Sequence, residues 1–193
     1  MNASASPQEI RVKVCGITRP EDARALDTLS VNGRGIDYLG FNFWPGSKRY
    51  IAPEAAAPLI AALRHATPVG IFVDHTAEEI NRIAALTGIK MAQLHGAEGW
   101  DILNEVDLPV IKAVPHTGLN DWGGLRPAWA EHPARPPEYF LVDTATASAF
   151  GGTGAAFDWN LLGTGGDDAL PRPFFLAGGL GPHNVAEAVA ATR

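Results

Sequence analysis

The sequence predicts an α/β fold of the (β/α)8 TIM-barrel type, and three observations predict it. Short apolar runs alternate with helix-like stretches along the whole chain, the pattern of a parallel sheet covered by helices. Most runs lead into a chemically distinctive residue: Cys15, Phe43 with Trp44, Asp74, His95, Asp143 and Gly178. Barrel enzymes build their sites from the carboxyl ends of several strands. The first strand-to-helix turn, Cys15-Gly16-Ile17-Thr18, lacks the glycine pattern with which a doubly wound open sheet holds its ligand.

The first strand is read over residues 12–15, an alternating run with β-branched residues that stops at Cys15-Gly16. Nothing apolar precedes it, so residues 1–9 are read as a flexible tail and residues 10–193 as a single barrel domain. Pro20, Glu21 and Asp22 then open a helix, with a proline in the first turn and acids near the positive end of the dipole. Further strands are read over residues 38–43, 68–73, 90–94, 110–114, 139–142 and 174–177. Helices are read over 21–29, 53–64, 77–86, 100–106, 157–162 and 182–191, with a weaker one near 119–130. Ile83 and Leu86, spaced i and i+3, are read as one apolar helix face. The proline-rich stretch 126–137 reads as a surface loop.

The chain has 193 residues, enough for one sizeable core, and 46% of them are apolar. No segment has the uncharged apolar length of a membrane span, and residues 1–10 lack the basic and apolar regions of a signal peptide. One cysteine excludes an internal disulfide and fits a reducing, cytoplasmic setting. The net charge of -6 argues against nucleic acid or an acidic membrane as main partner. It leaves room for a small anion, because a few amides and one arginine hold a phosphate in an acidic protein. His65, His75, His116, His132 and His183 show no metal-ligand spacing, so no metal site is expected.

Four features carry chemistry. Cys15 closes the first strand, as a base if neighbours favour its thiolate or as a small buried hydrophobe. Lys13 shares its side of the strand by period two, with its head expected too far down the barrel to matter. Asp143 ends a buried strand and precedes the loop 144–156, which contains Gly151-Gly152-Thr153-Gly154; it reads as a general acid or base, or as a loop cap. Gly178 and Gly179 follow the seventh strand, where barrels commonly hold phosphate. Lys48 and Arg49 follow the second strand, as a carboxylate clamp or a solvated turn. His95 reads as a ligand contact or a satisfied polar group.

These motifs together resemble the phosphoribosylanthranilate isomerase family of tryptophan biosynthesis. The resemblance rests on Lys13-Val14-Cys15-Gly16-Ile17-Thr18, Gly40-Phe41 with Ser47-Lys48-Arg49-Tyr50-Ile51, Gly70-Ile71-Phe72-Val73 and Gln93-Leu94-His95-Gly96. It continues through Ile111-Lys112-Ala113-Val114, Leu141-Val142-Asp143-Thr144, Gly151-Gly152-Thr153-Gly154 with Phe157-Asp158-Trp159, and Ala177-Gly178-Gly179-Leu180. It implies a cofactor-free Amadori rearrangement of N-(5-phosphoribosyl)anthranilate, a phosphorylated aminoaldose, in a monomer or homodimer. It implies Cys15 as general base, Asp143 as general acid, Arg49 on the anthranilate carboxylate, and Gly178 and Gly179 as half of a phosphate site. His95 and Gly152 are expected to contact substrate.

The family continues with an eighth strand, a second phosphate loop and a last helix, whereas this sequence stops at Arg193. The eighth unit is therefore expected to be missing, leaving strands one and seven facing each other across a gap. An alternative reading is a non-catalytic or partner-dependent remnant of the fold. A third is another sugar-phosphate isomerase or epimerase, which in its metal-dependent form wants paired His and Asp ligands that the strand ends do not supply.

Overall fold

A computed structural model describes residues 10–115, 135–143 and 173–192. Its strands are β1 (Lys13–Cys15), β2 (Tyr38–Asn42), β3 (Thr67–Phe72), β4 (Met91–Leu94), β5 (Val110–Pro115), β6 (Tyr139–Asp143) and β7 (Phe174–Leu176). Every neighbouring pair is parallel, and the spatial order β1-β2-β3-β4-β5-β6-β7 is the order in the chain. A doubly wound sheet would reverse direction about its first strand. Sequential parallel order is the barrel alternative, and the seven strands fall within a residue or so of the runs read from the sequence. Among the described residues β1 and β7 are the outer strands, and a cleft of about 640 Å³ runs between them. Arg11, Lys13 and Cys15 line one wall and Leu141, Phe175 and Ala177 the other.

Period-two alternation sorts the strands' side chains into two layers. Outside, Leu39, Phe41, Phe72, Ala92, Leu94 and Val110 pack under the helices with Ile60, Ile80, Ile83 and Leu103. Inside, Tyr38, Val69, Met91, Ile111 and Leu141 form a second cluster with Tyr139 and Phe175 against it. At the amino ends of the strands, Arg11 donates to both Tyr38 Oη (2.9 Å) and Tyr139 Oη (2.7 Å). Burial, and the neighbouring Tyr38 hydroxyl, push the Tyr139 phenol up to about 12.

The helices are α1 (Pro20–Asp27), α2 (Pro53–Ala61), α3 (Ala77–Thr87), α4 (Ile102–Glu105) and α5 (Val185–Thr192). Prolines open α1 and α2, where a missing N–H costs nothing. A capping box between Thr76 and Glu79 starts α3, and Gly88 in the left-handed region stops it. Two expectations need correction. Leu86 is 46% exposed; the buried face of α3 is Ala77, Ile80, Ile83 and Thr87. The helix read over 100–106 shrinks to Ile102–Glu105, because other side chains take the carbonyls at its end. Asn81 Nδ2 donates to Glu105 O, and Arg135 Nη2 donates to Val106 O and Leu108 O. The helices read over 119–130 and 157–162, the tail at 1–9 and most of the loop at 126–137 lie outside the described residues.

Asp27, buried at the carboxyl end of α1, accepts from the backbone N–H of Arg64 (2.8 Å), His65 (3.0 Å) and Ala66 (2.8 Å). Burial pushes this carboxyl up, but the three amides outweigh it and hold the group below its ordinary value of 3.8. A depressed carboxylate adds stability above its unfolded-state pKa, and that stability is lost as pH falls through the folded-state value. Asp27→Asn should therefore cost about 1–3 kcal/mol at neutral pH through amides left without acceptors. Thermal unfolding of both forms across pH should show the gap in Tm narrowing below the carboxylate range.

Candidate active site

The carboxyl ends of β1, β4 and β6 place Cys15, His95 and Asp143 at one rim of the barrel. Period two extends the same inward face to Lys13 on β1 and Gln93 on β4. Four of these side chains form one hydrogen-bonded chain, and its last member, His95, contacts Asp143 within ion-pair distance. Lys13 Nζ donates to Cys15 Sγ (2.7 Å) and to Gln93 Oε1 (2.5 Å). Gln93 Nε2 meets His95 Nδ1 at 2.6 Å, and His95 Nε2 lies 3.2 Å from Asp143 Oδ2. Lys13 was expected to lie too deep to matter; its ammonium is instead on the sulfur. Asp143 is 9% exposed, and its Oδ1 is buried with no hydrogen-bond partner among the described residues. A carboxylate oxygen buried without a partner is costly in a resting fold and suits a group that meets a ligand.

Two glycines make room around the cysteine. A Cβ on Gly40 of β2 would stand 3.1 Å from Cys15 Sγ and 3.0 Å from Ile71 Cδ1, tighter than ordinary packing. Gly16 has φ +86°, a left-handed conformation, and a Cβ there would run into the Arg49 side chain. Arg49 is exposed and lies across this turn, with Nη1 donating to Cys15 O at 3.0 Å. One cation from the β2 loop thus sits beside the cysteine's backbone, while Lys48 is exposed.

Past β7, Gly178 (φ 86°) and Gly179 (φ 63°) both adopt the left-handed region. Asn184 braces the turn: its Nδ2 donates to Gly179 O (2.9 Å) and its Oδ1 accepts from Gly181 N (2.7 Å). Successive amides in such a turn, followed by a helix, suit an anion. Gly152 and the loop 144–156 lie outside the described residues.

Two other acids at the rim are structural. Asp74, at φ 55°, accepts from Ala97 N (2.7 Å), and its own N–H donates to Glu98 Oε1 (2.9 Å). Glu98 also accepts from Gly96 N and from Lys112 Nζ at 3.1 Å. The side chains of that ion pair are 7% and 3% exposed. Together they lock the loops after β3 and β4, and so the backbone just beyond His95. Gln93, Glu98 and Gly40 went unremarked as site-shaping residues in the sequence. Period two from His95 reaches Gln93; nothing local points from Lys112 to Glu98. Among the described residues no group of three or more His, Cys, Asp or Glu could hold a metal ion, and no helix is long and apolar enough to cross a membrane.

The N-(5'-phosphoribosyl)anthranilate isomerase family model matches residues 12–193. An isomerase of that name from Nitrosomonas europaea is 38% identical over 185 residues, covering 95% of this chain and 81% of the relative. One from Hahella chejuensis is 37% identical over 191 residues, covering 98% and 83%. The crystal structure of phosphoribosyl anthranilate isomerase from Thermotoga maritima superposes with a TM-score of 0.76 at 34% identity, covering 96% of this chain and 84% of that one. A further structure of such an isomerase, in complex with reduced 1-(o-carboxyphenylamino)-1-deoxyribulose 5-phosphate, gives 0.74 at 32%, with the same coverage.

Glu98→Ala should leave Lys112 buried without its counter-charge and free the amides of Asp74 and Gly96. Breaking one side of a buried pair costs about 3–5 kcal/mol, so Tm should fall steeply. Glu98→Ala,Lys112→Met should recover part of the loss, measured by thermal unfolding of the single and double variants.

Proposed function

The chain belongs to the N-(5'-phosphoribosyl)anthranilate isomerase family, and on that premise we propose that it converts N-(5-phosphoribosyl)anthranilate to 1-(2-carboxyphenylamino)-1-deoxyribulose 5-phosphate. As a member of that family it is an isomerase of tryptophan biosynthesis that turns an aldose into a ketose. The observation that carries the assignment of roles is the chain of hydrogen bonds from Cys15 to His95, whose Nε2 lies 3.2 Å from Asp143 Oδ2. It ties the two groups such a rearrangement needs into one layer of the barrel.

In this reading Asp143, as general acid, protonates the ribose ring oxygen. The C1–O bond breaks, and the anilino nitrogen's lone pair forms the C=N bond of a Schiff base. Cys15, as thiolate, then takes the proton from C2, and the C–H electrons become the C1=C2 bond of an enolamine. Tautomerisation returns a proton to C1 and leaves the ketone at C2. Oδ1 of Asp143, without a hydrogen-bond partner among the described residues, is the oxygen assigned to the ring, since Oδ2 is engaged by His95. Arg49, held beside Cys15 by its bond to Cys15 O, supplies the cation for the anthranilate carboxylate. The Gly178 and Gly179 turn, with α5 beyond it, supplies amides for the phosphate. His95 borders the substrate through its contact with Asp143, and Gly152 belongs to the same site in this reading. A single cysteine supports a cytoplasmic setting.

A second reading keeps the fold and makes turnover depend on a further polypeptide seated in the cleft between β1 and β7. Turnover by the purified chain alone decides between the two.

Cys15→Ala and Asp143→Asn should each lower kcat by about 10²- to 10⁴-fold, the usual worth of a general base or acid, with Tm preserved. Arg49→Ala should raise KM and spare kcat, because a carboxylate clamp binds ground and transition states alike. Arg49→Lys should recover little of it, having lost the forked geometry. Steady-state kinetics of the folded variants check all four, and parental turnover in Cys15→Ala would return the cysteine to a packing role.

A further inference from the structure

The direction of every hydrogen bond in the interior chain follows from one residue. An ammonium only donates, so the amide atom of Gln93 that faces Lys13 is its oxygen. Gln93 Nε2 then donates, and His95 Nδ1 must accept. An imidazole accepting at Nδ1 carries its proton on Nε2, which faces Asp143 Oδ2 at 3.2 Å. At the other end, a second hydrogen of the same ammonium points at Cys15 Sγ, 2.7 Å away. A donor cation at that distance is a charge-assisted partner for the sulfur in its reacting form. Lys13 and Gln93 transfer no proton in the roles given above, and they stand deeper in the barrel than Cys15 and His95 by one step of the strand's period.

We propose that Lys13 and Gln93 are positioning residues that set both reacting groups at once. Lys13 holds Cys15 as the proton acceptor, and through Gln93 it fixes the His95 tautomer that binds Asp143 Oδ2 and leaves Oδ1 for substrate. The interior of the barrel thereby couples base and acid across β1, β4 and β6. Gln93 is 2% exposed, so no solvent molecule substitutes for it without repacking. This inference rests on the roles proposed for Cys15 and Asp143.

The test compares Lys13→Met, Gln93→Glu and Cys15→Ala in the purified chain. Methionine keeps the unbranched stem of lysine, and glutamate keeps the shape of glutamine while turning its donor into an acceptor. Lys13→Met should lower kcat with KM little changed, and it should slow alkylation of Cys15 by iodoacetamide at pH 7 by a similar factor. Both factors should be about 10- to 100-fold, the worth of one charge-assisted hydrogen bond. Cys15 is the only cysteine, so alkylation reads this site alone. Gln93→Glu should lower kcat comparably without loss of Tm, because the chain's direction reverses at His95. A merely structural lysine or glutamine would move Tm and leave the alkylation rate and the kcat-to-KM split of the folded variant alone. Parental kcat and parental alkylation in a folded Lys13→Met, or parental kcat in Gln93→Glu, overturn the inference even if Cys15→Ala is dead. Parental turnover in Cys15→Ala overturns the underlying roles and the inference with them.

Discussion

A polar side chain inside a barrel must find hydrogen-bond partners there, and that requirement organises this interior. Two polar layers are separated by apolar side chains. Near the amino ends, Arg11 is shared by the Tyr38 and Tyr139 hydroxyls. Val69, Met91, Ile111 and Leu141 then pack together. Above them Lys13, Gln93, His95 and Asp143 satisfy one another in series. The exception within the described residues is Asp143 Oδ1, the oxygen assigned to substrate in the proposed mechanism. The layer that keeps the charges inside thus also orients the groups proposed to react.

The loops around this layer are fixed by a different set of bonds. Asp74, Glu98 and Lys112 tie the turns after β3 and β4 to the outer face of β5. Gly16 and Gly40 clear space for Arg49 and Cys15 respectively. Asn184 braces the turn after β7. Each rim element therefore has its own local support, and the barrel wall has to supply only their common orientation, which sequential parallel order does.

The strands were legible in the sequence because alternation and the residues at the run ends are local signals. Inward-facing residues were legible too: period two carries Cys15 back to Lys13 and His95 back to Gln93. The level at which two strands meet was not. Lys13 and Gln93 are 80 positions apart, and whether one reaches the other depends on the stagger of β1 against β4 across the barrel. For the same reason the lysine that touches the cysteine was read as too deep. The pairing of Lys112 with Glu98 was hidden likewise, since one lies on a strand and the other in a loop. Leu86 was misread because an i, i+3 pair alone does not say which face of a helix meets the core; the buried face of α3 runs through Ile80 and Ile83. The roles proposed for Cys15, Asp143 and Arg49 come from the family resemblance, and what geometry adds is that the three lie at one rim.

The central claim is that this rim is where the sugar phosphate binds and reacts. A crystal structure of the protein with reduced 1-(2-carboxyphenylamino)-1-deoxyribulose 5-phosphate tests it most directly. The account predicts the carboxylate against Arg49, the phosphate on the amides of Gly178 and Gly179, and the sugar carbons between Cys15 Sγ and Asp143 Oδ1. The analogue bound away from Cys15 and Asp143, or with its carboxylate and phosphate ends exchanged, would contradict it.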